Sequence, residues 1–140
     1  MDSNANGAVR DQGAGWVAIG VLALGLVQLG LGLWMAAAPE SFFDAIGGFG
    51  PFNDHYVRDV STFYLALGAG LVVAWRRPAW RVPVLAVAAL QYAFHVVNHV
   101  VDVGDAEPGW VGPVDAIALA LGTAAFALLL AASSQRRSTT

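Results

Sequence analysis

Four apolar stretches, each separated from the next by a polar or turn-rich segment, set the pattern of this chain. The first covers 15–38, with Gln28 as its one polar interruption, and its roughly 24 residues at about 1.5 Å each exceed a hydrocarbon layer of about 30 Å. The second covers 55–75 and stops at Arg76, Arg77, Pro78 and Arg81. The third, 82–103, carries its polar residues only in its second half, and the fourth covers 113–132. Each is long enough to cross a bilayer, so the expected fold class is all-α: an integral membrane four-helix bundle filling 15–132. The flanks, 1–14 and 133–140, are polar and read as tails, the first disordered because it has little apolar surface to bury.

Ala36, Ala37 and Ala38 after an apolar run resemble a signal-peptide cleavage site, but Asp2 and Asp11 offset Arg10 in the leader. The run is also too long for a signal core and Pro39 follows the supposed cut, so the segment reads as a retained span. The loop after it, 39–54, places Phe42, Phe43, Ile46, Phe49 and Phe52 among a few acids. Ser41 is expected to cap a short helix there, ended by Gly47 and Gly48. Such a segment is either an interfacial lid or a gate over a ligand cavity.

Composition agrees with lipid as the solvent: 57% of the 140 residues are hydrophobic and 12% charged. A net charge of −3 and seven basic residues, all arginine, exclude nucleic acid as a partner. The absence of cysteine excludes disulfides and thiolate chemistry. Arg10, Arg76, Arg77, Arg81, Arg136 and Arg137 all fall on one side of a four-span layout, and only Arg58 falls among the acids of the other. The expected topology is therefore N-in/C-in, in the inner (plasma) membrane. Small residues at spacing four, Ala66, Gly70 and Ala74 on the second span and Ala116, Ala120 and Ala124 on the fourth, read as contacts within the bundle, with partner subunits or with a second copy.

At about 100° per residue, His95, His99 and Asp102 share one face of the third span, flanked by Gln91, Tyr92 and Asn98. The same arithmetic directs His55 and Asp59 of the second span and Asp115 of the fourth toward the same end, with Arg58 beside them. Ionisable groups at membrane depth are costly and need partners, so a polar cluster or ligand-binding pocket is expected there. The uses left open are interhelical hydrogen bonding, a metal site on His95, His99 and Asp102, a haem needing His55 as second axial ligand, and proton-linked transport or quinone chemistry. Arg58 either snorkels and neutralises Asp54 and Asp59 or holds an anionic ligand.

The run Asp54-His55-Tyr56-Val57-Arg58-Asp59, followed by Tyr64-Leu65-Ala66-Leu67-Gly68 and the Arg76-Arg77-Pro78 turn, resembles small four-helix bacterial membrane proteins of the DoxX-like type. The resemblance spans about 15–132 and implies an accessory role, since some members of that group accompany redox or quinone-linked complexes and many have no assigned activity. An alanine-, valine- and arginine-rich chain without lysine also suits a high-GC bacterium. The expected function is a non-enzymatic accessory or ligand-binding membrane subunit. A redox or metal-dependent protein and a proton-linked transporter are the alternatives.

Overall fold

The structure, a computed structural model, describes the backbone of residues 3–137 and the side chains of residues 15–135. The tails expected at 1–14 and 133–140 lie for the most part outside the described side chains. Among the described residues, five α-helices follow in order: α1 (Ser3–Ala37), α2 (Pro39–Ile46), α3 (Asp54–Arg76), α4 (Arg81–Val101) and α5 (Val111–Arg137). Four stretches, Gly15–Ala37, Asp54–Arg76, Pro78–Val101 and Val111–Gln135, are long and apolar enough to cross a membrane. The chain is thus a multi-pass helical bundle, and the expected spans hold to within a few residues. The third begins earlier than expected because Pro78–Trp80 form a 3-10 turn leading directly into α4.

Local chemistry sets the boundaries. Pro39 sits at the first position of α2, where its missing N–H costs nothing, so the helix starts there without a side-chain cap. Ser41 is not the cap expected from the sequence; its hydroxyl accepts from Trp34 Nε1 at 3.3 Å. Gly47 does end α2, its N–H donating to the carbonyls of Phe42 and Phe43. Asn53 caps α3 by accepting from the Tyr56 N–H at 3.0 Å. At the far end of α3, Arg81 donates to the carbonyls of Ala74 and Trp75, both at 3.2 Å, satisfying acceptors that the helix terminus leaves open.

The bundle is two antiparallel helix pairs: α1 lies along α3 and α4 along α5, with much slighter contact between the pairs. Glycine makes the first seam. A Cβ on Gly68 would meet the Leu29 N at 2.9 Å and the Gly25 carbonyl at 3.0 Å, and one on Gly32 the Leu65 N at 3.0 Å. Backbones approach this closely only where side chains are missing, the device helices use in lipid, where hydrophobicity gives no drive to associate. In the second pair Gly122 makes room for the Tyr92 ring, which also packs on Phe126 with centroids 4.9 Å apart.

The apolar core joins the two pairs at one end. Near the α3–α4 turn, Val17, Val21, Leu71, Ala74, Leu85, Ala88, Phe126 and Leu129 form one buried core drawn from all four spans. Toward α2 that core gives way to a smaller cluster within the first pair, Met35, Val57 and Tyr64, against which Phe42 packs. The sequence-based packing face of α3 is corrected here: Val57, Ser61, Tyr64, Leu67, Gly68, Leu71 and Ala74 are buried, whereas Ala66 is exposed. A Cβ on Gly70 would meet only the Val84 methyls, at 3.6 and 3.8 Å. Ala116, Ala120 and Ala124 likewise do not form a buried stripe; Ala120 and Ala124 are exposed.

Candidate functional site

Where the pairs part, a cavity of about 510 Å³ opens between them, running from beneath α2 to mid-span. That is the size of a small-molecule site, and its wall is mostly apolar with few polar groups. At its floor Gln28 of α1 donates through Nε2 to the Tyr92 hydroxyl of α4. This bond ties one pair to the other at the point where the packed core ends. Gln28 is 1% exposed, and its other amide atom, Oε1, is buried without a hydrogen-bond partner. A buried amide oxygen left this way costs about 1–3 kcal/mol unless something in the cavity donates to it.

Above the floor, one turn apart on α4, His95 and His99 bring their Nε2 atoms to 3.1 Å. At that distance one nitrogen donates and the other accepts, so the two Nε2 atoms share one proton. Both Nδ1 atoms are buried and unpartnered. Asn98 and Asp102 continue the same face of α4, and Asp115 comes from the first turns of α5.

α2 and the loop after it roof the opening. Phe42 packs edge-on against Trp34 with centroids 5.4 Å apart, and Phe49 against His99 at 4.7 Å. The roof is clasped to the opposite pair: the Glu107 N–H donates to the Gly48 carbonyl at 2.8 Å, and Phe49 bridges Ala106. Gly48 is required there, because a Cβ would collide with the Glu107 carbonyl oxygen.

Of the residues expected in the site, Tyr92, His95, Asn98, His99, Asp102 and Asp115 line this cavity, and His55, Arg58, Asp59 and Gln91 do not. His55 and Asp59 pair with each other at 3.3 Å on the outer face of α3, their side chains 86% and 65% exposed. They stand about 200° around the helix from Val57 and Ser61, which face inward. Arg58 pairs with Asp54 at 3.2 Å, so it offers no grip on an anion in the cavity. The grouping of His99 with Asp59 is therefore replaced by His99 with His95.

The triad of His95, His99 and Asp102 is not gathered as ligands: among the described residues no group of three or more His, Cys, Asp or Glu could hold a metal ion. A haem bound through His55 meets the same difficulty, since His55 lies outside the cavity. No protein-family model, curated protein or solved structure matches this chain. The geometry alone therefore carries the reading of the site. Sequence reasoning left Gln28 and Tyr64 out of it; a lone glutamine in an apolar span was the available signal for the first, and nothing marked the second.

Proposed function

We propose that this chain is a non-enzymatic membrane subunit that holds a small amphiphile between its two helix pairs, beneath the α2 roof. The observation that carries the reading is the unpartnered Gln28 Oε1 at the floor of a roofed, mostly apolar cavity. Buried amide atoms are normally hydrogen-bonded, and among the described residues no protein group reaches this oxygen, so it is a polar anchor open to the cavity. The clasp between Gly48 and Glu107 fits a roof that opens to admit the molecule. The arginine distribution supports both termini in the cytoplasm and the roof on the far side of a bacterial inner membrane. The resemblance to DoxX-like proteins agrees with an accessory role beside partner membrane subunits.

Native mass spectrometry of the purified protein, titrated with amphiphiles of graded length, tests the reading. It predicts a saturable one-to-one adduct with the parent chain and none with Ala118→Trp, which fills the cavity wall. Identical, non-saturating adducts on both would reduce the site to a packing fault.

A further inference from the structure

The cavity's polar groups have a sign. Among the described residues, Asp102 and Asp115 are the only carboxylates on its wall, and no arginine lines it. Arg58, the basic residue nearest in sequence to the roof's end, is held by Asp54 on the outer face. As neutral rings, one donating and one accepting across their 3.1 Å contact, the two imidazoles leave one open Nδ1 donor and one open Nδ1 acceptor and so favour neither sign. At the floor the buried, unpartnered atom is an amide oxygen, the negative end of its dipole. The remaining wall is rich in aromatic rings, among them Phe42, Phe43, Phe49, Tyr56, Tyr64 and Tyr92. Aromatic faces attract cations through their quadrupole, most strongly where water is excluded.

Carboxylates, an open carbonyl oxygen and aromatic faces all favour positive charge and disfavour an anionic head such as a carboxylate or phosphate. We infer that the molecule held between the helix pairs is a lipophilic organic cation, its charge near Asp115 and Asp102 beneath the phenylalanine roof and its apolar body against the aliphatic wall of Leu31, Val57 and Val60. This inference rests on the reading of the cavity as a ligand site and adds the chemical class. An anionic lipid entering the same cavity would meet two carboxylates without a counter-charge.

Two probes of one shape and opposite charge separate the possibilities: tetraphenylphosphonium and tetraphenylborate, with triphenylphosphine oxide as a neutral companion. Each is titrated by equilibrium dialysis into the full chain in nanodiscs, with empty nanodiscs subtracted. The expected result is saturable binding of the phosphonium at one per chain, binding of the borate weaker by tenfold or more, and a loss of tenfold or more in phosphonium affinity for Asp115→Asn. Asp102→Asn serves as the second variant should Asp115→Asn fail to fold. Saturable binding of the neutral or anionic probe, equal to the cation and unchanged in both variants, would overturn the charge inference and leave the cavity reading standing. No saturable binding of any probe would overturn both.

Discussion

Replacing Gly68 by alanine inserts one methyl into the tightest crossing of the bundle. Its Cβ would stand 2.8 Å from Leu29 Cγ, 2.9 Å from the Leu29 N and 3.0 Å from the Gly25 carbonyl oxygen. Leu29 can turn its side chain away, but the two backbone atoms cannot retreat without moving α1. Restoring ordinary contact requires the helices to part by about 0.5 Å, and a gap of that size forfeits roughly a quarter of each dispersion contact along the seam. Overpacking of this kind costs about 1–3 kcal/mol. Gly70→Ala is the control, since its methyl finds the Val84 side chain at 3.6 Å and gains up to about 1 kcal/mol of helix propensity. Thermal unfolding in mild detergent, followed by the loss of the monodisperse peak on size exclusion, should rank Gly68→Ala below the parent chain and Gly70→Ala level with it or above. The reverse order, or equal losses, would refute the assignment of the α1–α3 seam.

Tyr92→Phe removes the acceptor for Gln28 and leaves the whole amide unsatisfied. Its melting temperature should fall, Gln28→Leu should recover part of the loss in the double variant, and additive losses would contradict the pairing. A bond between helices in lipid contributes about 0.6–2 kcal/mol, which sets the size of the coupling in that cycle. Because the chain has no cysteine, Val60→Cys provides a single thiol on the cavity wall. Adding Gly48→Ala, which breaks the clasp to Glu107, should speed its modification by a small maleimide several-fold, and an unchanged rate would mean that the roof does not gate the cavity. With only two imidazoles gathered, metal analysis of purified protein should find well under one transition-metal ion per chain; one per chain would restore a metal reading. Reporter fusions after Arg137 should be cytoplasmic and those inserted at 105–109 external, and a periplasmic carboxy terminus would undo the arginine argument.

Hydropathy and turn residues made the four spans legible, because length and apolarity against bilayer thickness leave few alternatives. The polar face of α4 was legible too, since Tyr92, His95, Asn98, His99 and Asp102 recur at helical spacing and do meet at one cavity. The face of α3 was not. Small residues recur there on two stripes, Ala66-Gly70-Ala74 and Ser61-Gly68, and only the partner helix decides which is used: Gly68 meets Gly25 and Leu29 of α1, while Gly70 meets no part of that helix. Choosing the first turned Asp59 and His55 inward on paper, whereas they lie outward and pair with each other. The division into two pairs, from which the cavity arises, left no local mark, because it depends on how α1 crosses α3 and α4 crosses α5.

That division is what a comparison of two single cysteines tests most directly. Val60 lines the space between the pairs, and Ala88 is fully buried in the core that joins them. In nanodiscs, a small maleimide should modify the Val60→Cys thiol at a measurable rate, slowed when a cavity ligand is present at saturation, and should leave the Ala88→Cys thiol unmodified until the protein is denatured. Equal reactivity at the two positions, or an inert Val60→Cys thiol in a folded protein, would contradict the split bundle and the site built on it.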